Sequence, residues 1–198
     1  MEKERIDNMY INEIETYQPQ NELEAKDKAI MLKYIKNFKN DVLSRENEIA
    51  HLTSSGFIMN EKLDKTLMVY HNIYKSWSWT GGHADGEEDL LKVALKEAQE
   101  ETGISDVKPL TKSMMSVDIL PVWHHIKNGK IVNSHLHLNV AYLLITSESE
   151  TLTIKEDENS AVGWIEVSQL ENYCTEPSLI PIYHKLINAA RIIKAQRE

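Results

Sequence analysis

The chain has 198 residues, with 22 Lys and Arg against 31 Asp and Glu, a formal charge of −9, and 41% apolar and 27% charged residues. That length suits one domain with its own core, and the composition excludes wholesale disorder. The acidic balance removes the general attraction that draws basic proteins to nucleic acid, and an anionic small molecule would need a cation between itself and the carboxylates.

Residues 1 to about 20 are polar and aperiodic. Beyond them Ala25, Ala29, Leu32 and Ile35 recur at helical spacing and predict a helix over Glu22–Phe38. The β-rich runs HLTSSGFIMN and TLMVYHN, separated by the polar NEKLDK, predict two strands and a hairpin loop. IYKSWSWTGGHADG reads as a loop. It leads into a helix from about Glu87 to Thr102, with Leu91, Ala94 or Leu95, and Ala98 turned inward and Gly103 at the left-handed position that ends it.

Next, MMSVDILPVWHH and KIVNSHLHLNVAYLLI flank Asn128-Gly129, the strongest short hairpin signal. SESETLTIKEDENS is an acidic loop, AVGWIEV a short strand, and SQLENYCTEPS a turn. Leu179, Ile182, Tyr183, Leu186, Ile187, Ala190 and Ile193 then mark a long amphipathic helix that ends in basic residues, as the helix dipole favours. This order of helix, strands, helix, strands, helix predicts an α+β fold or a helix-sheet-helix sandwich.

No apolar run is long enough to span a bilayer, and the N-terminal MEKERIDNMY is charged, so no membrane partner is expected. Cys174 is the single cysteine, which allows neither an intrachain disulfide nor a Cys-x-x-Cys pair and points to a reducing, cytoplasmic setting.

The chemistry concentrates in KEAQEETG, Lys96 to Gly103. Glu97 lies three and four residues from Glu100 and Glu101, so the carboxylates share one helix face and repel one another. Hard oxygen ligands on one face suit Mg²⁺ or Mn²⁺, and binding such an ion turns the repulsion into coordination. The plain alternative is a solvated acidic face.

With its flanks the stretch is Gly82-HADGE-Glu88-DLLKVAL-Lys96-Glu97-Ala98-Gln99-Glu100-Glu101-Thr102-Gly103-Ile104. It closely resembles the Nudix box, matching each fixed position except that Lys96 stands where the family has Arg. The GGHADG wording is similar to that of a bacterial subgroup of MutT-like Nudix proteins of unassigned substrate. The resemblance implies an α/β/α sandwich around a mixed β-sheet. It gives a Nudix domain over residues 46–175, an N-terminal helical extension over 1–45, and a C-terminal helix over 176–198 packing on the same domain. For the extension a lid, a dimer element and a specificity region are all open, and family members are often homodimers.

The resemblance further implies a metal site of Glu97 and Glu101 with the Gly81 carbonyl. Glu100 would be a further ligand or a water-activating base, and Glu88 a support for the loop. Gly82, Glu88, Lys96 and Gly103 are the structural positions of the box. A fork-shaped Arg grips a carboxylate at two points and Lys does not, so Lys96 should orient its neighbours less firmly. Some family members place the base in a loop before a Trp-containing strand. KEDENSAVGWIEV has that look, with Glu158, or Glu156, ahead of Trp164.

Alternation in SHLHLN puts His135, His137 and Asn139 on one strand face and Leu136 and Leu138 on the other. A pocket wall that reads substrate and a solvent-facing stripe are both open. Zinc is not expected, because no third ligand stands at a typical spacing. His83 faces either a substrate phosphate or its own loop. Trp77 and Trp79 read as covers for the core edge, with substrate stacking the alternative for Trp79. His124 and His125 should be exposed.

The expectation is a metal-dependent hydrolase of a small-molecule phosphoanhydride, a nucleoside diphosphate linked to another moiety. The alternative is a Nudix-fold module that binds a nucleotide or sugar nucleotide with little turnover. An isoprenoid diphosphate isomerase, which in that fold uses a cysteine upstream of the box, is discounted because Cys174 lies downstream. RNA decapping is disfavoured by the missing basic surface.

Overall fold

The computed structural model describes residues 9–127 and 129–197. Helices α1 (Met9–Thr16) and α2 (Glu22–Phe38) come first. Asn21 starts α2 by accepting a hydrogen bond from the Glu24 amide. The aperiodic reading of residues 1 to 20 therefore fails over α1, whose eight residues bury only Tyr10 and Ile14, too few to show a period. Residues 1–8 lie outside the described part.

A short 3₁₀ turn, Lys39–Leu43, leads to β1 (Ala50–Met59) and β2 (Lys65–His71), antiparallel across the expected NEKLDK loop. Two short strands, β3 (Ser76–Ser78) and β4 (Thr80–His83), occupy what reads in sequence as a loop. They are three and four residues long, below the length at which alternation is legible, and tertiary pairing decides them. Helix α3 (Leu90–Thr102) begins where the Asp89 side chain caps the Lys92 amide, three residues after the predicted start, and ends at Gly103 with φ 77°. Its buried stripe is Leu90, Val93, Ala94, Ala98, Glu101 and Thr102, with Leu91 and Leu95 only part-buried.

Strands β5 (Lys108–Pro109), β6 (Ser116–Val122), β7 (His125–Lys127), β8 (Lys130–Val132), β9 (His135–Ile145) and β10 (Asn159–Glu166) follow. β7 and β8 pair as a hairpin across Gly129, at φ 75°, while Asn128 of the predicted turn lies outside the described residues. A 3₁₀ turn and a four-residue helix α4 (Leu170–Tyr173) replace the predicted turn, and α5 (Ile180–Ala195) is the amphipathic C-terminal helix.

Among the described residues the main sheet runs β10-β2-β1-β9-β5, with β3 on β2, β4 on β1 and β6 on β9. β1 and β9 are parallel and the other pairs antiparallel, so the sheet is mixed. On one face Leu52, Ile58, Leu138, Val140, Tyr142 and Leu144 pack with Tyr10, Ile14, Met31, Ile35 and the inner residues of α3. On the other, Phe57, Met59, Ala141 and Leu143 pack with Tyr183, Leu186 and Ile187 of α5. The molecule is an α+β sandwich of helices about one mixed sheet, as predicted.

This second face places the site. Alternate residues His51, Thr53 and Ser55 of β1 lie on the same side as Phe57 and Met59, and His135, His137 and Asn139 of β9 on the same side as Ala141 and Leu143. The 11 residues of β9 extend about 36 Å. The 16 residues of α5 extend about 24 Å. Where the helix covers the sheet the residues are apolar; beyond it they are polar and line a cavity.

Candidate active site

One cavity of about 480 Å³ is lined by Glu97, Glu100 and Glu101 of α3, by Gly81, Gly82 and His83 of β4, and by Lys155, Glu158 and the histidines of β1 and β9. It brings the acidic box and the histidine stripe, separate in sequence, to a single space.

Glu101 is 4% exposed. Its Oε1 accepts from the Gly81 amide at 2.8 Å and its Oε2 from Asn159 Nδ2 at 2.9 Å. Burial, reinforced by the charges of Glu97 and Glu158 and only partly offset by those two hydrogen bonds, pushes its pKa up to about 7. Glu97 is also pushed up, first by burial and then by Glu100 and Glu158, against the pull of Lys155 and Lys96. A Cβ on Gly82 would stand 2.4 Å from Glu97 Cδ, so this glycine makes the space that the carboxylate occupies.

Lys96 lies 3.9 Å from Glu97 and 3.5 Å from Glu100, with most of its side chain in solvent. Glu100, itself half-exposed, also faces Lys155 at 3.9 Å. Lys155 reaches Glu158 at 3.0 Å and links the KEDE loop to the box. Burial acts to lower the Lys155 pKa, but Glu158, Glu97 and Glu100 outweigh it and the amine is held charged. Glu156 is absent from the cavity lining. Glu88 is part-buried, and its Oε2 has no hydrogen-bond partner.

Across the cavity lining, Asn139 Oδ1 accepts from both Thr53 Oγ1 and Ser55 Oγ at 2.9 Å, leaving its buried Nδ2 without a partner. One ring nitrogen from each of His51, His83, His135 and His137 lies within 4.8 Å of the other three. The reason given against zinc, a missing third ligand, thus fails in space, because β1 and β4 bring His51 and His83 beside the two histidines of β9. Burial, with the charges of the neighbouring histidines, lowers the His137 pKa to about 2. Burial also lowers that of His51.

Trp79 is seated in the core, its ring edge-on to Tyr183 and its amide donating to the Tyr183 hydroxyl at 3.3 Å, with part of its surface on the cavity. His124 is exposed, whereas His125 lines the cavity. Sequence reasoning missed His51, Lys155, Asn159 and the Arg45–Asp85 ion pair, all of which touch the cavity or its glutamates. For His51 a signal was present: with Thr53 and Ser55 it forms the same alternating polar stripe as His135, His137 and Asn139. Asn159 carried none.

An acidic helix held against a glycine-bearing strand, inside an α/β/α sandwich, sets three carboxylates beside a polar cavity. The NUDIX domain family model matches residues 50–186, and the chain belongs to the Nudix family. A solved Nudix-family hydrolase from Clostridium perfringens is similar, with a TM-score of 0.50 and 21% identity over 70% of this chain and 97% of that one. An Ap4A hydrolase from C. elegans gives 0.47 and 15%, over 68% and 93% of the two chains. A MutT protein from Bacillus halodurans gives 0.47 and 14%, over 69% and 81%. At 21% identity the likeness to the Clostridium perfringens hydrolase is one of fold. No curated protein matches the sequence.

Proposed function

We propose that the chain is a divalent-metal-dependent hydrolase cleaving the phosphoanhydride of a nucleoside diphosphate linked to another moiety. The observation that carries this is Glu101, a buried carboxylate whose hydrogen-bond partners are two amides and whose neighbour Glu97 raises its pKa further. Two carboxylates in such surroundings call for a cation, and an all-oxygen donor set fits Mg²⁺ or Mn²⁺. Glu97, Glu101 and the Gly81 carbonyl would hold it, with Glu100 the further ligand. When bound, such an ion neutralises charge on the phosphoryl oxygens and acidifies a coordinated water.

The chain's own residues supply the rest. Asn159 and the Gly81 amide fix both oxygens of Glu101, so that its orientation is set before any ligand arrives. Glu158 lines the cavity beside Lys155, and on this reading it takes a proton at a carboxylate oxygen from the attacking water, with Glu100 the alternative. The unpartnered Nδ2 of Asn139 offers a donor to the substrate, and His83, His135, His137 and Trp79 line the same cavity. Among the described residues no helix is long and apolar enough to cross a membrane.

The test is release of phosphate or of a monophosphate product from nucleoside triphosphates, ADP-ribose, sugar nucleotides, dinucleoside polyphosphates and coenzyme A, with Mg²⁺ or Mn²⁺, for the native chain and Glu101→Gln. Metal-dependent turnover that the substitution abolishes supports the hydrolase. Absence of turnover across that panel, with a nucleotide still raising Tm, supports the binding module instead.

A further inference from the structure

We propose that His51, His83, His135 and His137 form a second metal site, separate from the acidic box, which takes a first-row transition ion such as Zn²⁺. The proposal does not depend on the hydrolase reading. It rests on register. Strand pairing sets His51 of β1 opposite His137 of β9 and Thr53 opposite His83 of β4, which brings imidazoles from three adjacent strands to one face. One ring nitrogen from each falls within 4.8 Å of the others.

Two of the four rings, those of His51 and His135, are anchored as ligands are. His51 Nδ1 lies 2.9 Å from the Asn47 carbonyl, and His135 Nδ1 lies 2.8 Å from the Asn133 carbonyl. A carbonyl only accepts, so each Nδ1 carries the proton and each Nε2 carries the lone pair of the neutral ring. Such backbone anchoring of the far nitrogen is how metal-ligating histidines are commonly held. His51 is 3% exposed, and its Nε2 has no hydrogen-bond partner. A buried acceptor without a partner is costly unless something fills its place.

Nitrogens bound at about 2.0–2.1 Å to one tetrahedral ion stand about 3.3 Å apart. The Nε2 atoms of His135 and His137 are 3.2 Å apart, where His137 Nε2–H donates to the lone pair of His135 Nε2 in the metal-free chain; an ion would take the place of that proton. Imidazole nitrogen is a borderline ligand that favours Zn²⁺ and its neighbours over Mg²⁺, so the two sites would sort ions by donor type. His83 follows Gly81 by two residues on β4, about 7 Å along an extended strand. An ion on the histidines would therefore add positive charge to the cavity that the glutamates share, where a second anionic group of a substrate could rest.

The experiment is titration of the metal-free full chain with Zn²⁺, and with Co²⁺ as a visible-spectrum probe, in the presence of saturating Mg²⁺. We expect one equivalent of Zn²⁺ bound per chain and a Co²⁺ band that Zn²⁺ displaces. Both should be lost in His51→Gln/His137→Gln and kept in Glu101→Gln. If the double variant does not fold by circular dichroism, His135→Gln, whose ring is only part-buried, takes its place and should weaken Zn²⁺ binding at least tenfold. No bound Zn²⁺ in the native chain, unchanged binding in the histidine variants, or loss of binding in Glu101→Gln would each overturn the proposal.

Discussion

Gly82 and Gly103 bracket the acidic helix, and each is required for a different reason. At Gly82 the constraint is space, because an added Cβ would meet Glu97 at 2.4–2.8 Å. Gly82→Ala should displace that carboxylate and, on the proposed activity, lower kcat/KM on the order of 100-fold, since a shift of about 1 Å can cost that much. Its Tm should move little. At Gly103 the constraint is backbone: φ is 77°, and a Cβ would stand 2.0 Å from Thr153 Oγ1. Gly103→Ala should cost at least about 1–2 kcal/mol in urea unfolding. The contrast between lost activity and lost stability separates the two roles. The box glycines were legible in sequence as a pattern, but their separate duties appear only when the neighbouring side chains are in place.

At the scale of elements, helices α2 and α5 are joined by a buried charge. Glu24 of α2, 1% exposed, accepts from Tyr17 and from the amides of Gln20 and Val117, and pairs with Lys185 of α5 at 2.8 Å. Lys185 also meets Asp118 of β6 at 3.4 Å. Lys185→Met would leave two carboxylates buried without their cation, and breaking a buried pair in this way costs about 3–5 kcal/mol. At about 2–4 °C per kcal/mol for a chain of this size, Tm should fall by roughly 6–20 °C. Burial acts to raise the Glu24 pKa, but Lys185, Tyr17 and the Gln20 amide together outweigh it, and the pKa lies below its ordinary 4.5. A depressed carboxylate contributes stability above its unfolded pKa and loses it as pH falls through the folded value. The stability gap between the native chain and Glu24→Gln should therefore be widest above about pH 4.5 and close below it, which urea titrations over a pH series would read. Helix α2 was legible because its apolar residues keep a period, whereas α1 was not. Nothing in the sequence tied Glu24 to a lysine 161 residues away.

For the molecule as a whole, the segment that precedes the family match is part of the core. Tyr10, Ile14, Met31 and Ile35 pack in the same cluster as Leu52, Tyr142 and the inner face of α3. Deleting residues 1–38 would uncover that layer, and the shortened chain should aggregate or bind a hydrophobic dye, as an uncovered apolar face does. Solubility on expression and dye fluorescence check this. The layered architecture itself was predictable, because amphipathic helices on either side of alternating strands have few other ways to bury their apolar faces.

What the sequence by itself determined is the chemistry that is local. Glu97, Glu100 and Glu101 stand three and four residues apart on one helix, and a helix of any surroundings puts such residues on one face. Gly82 and Gly103 follow at fixed offsets, so the acidic half of the candidate site and the family could be read from one line of text. Only the tertiary structure decided the rest. Asn159 holds Glu101 across 58 residues, and His51, His83, His135 and His137 meet because β4 and β9 pair with β1 in one register. A slip of one residue in that pairing would turn a strand's imidazoles to the opposite face. Register is set by the burial of the whole sheet, which no single stretch of the sequence contains.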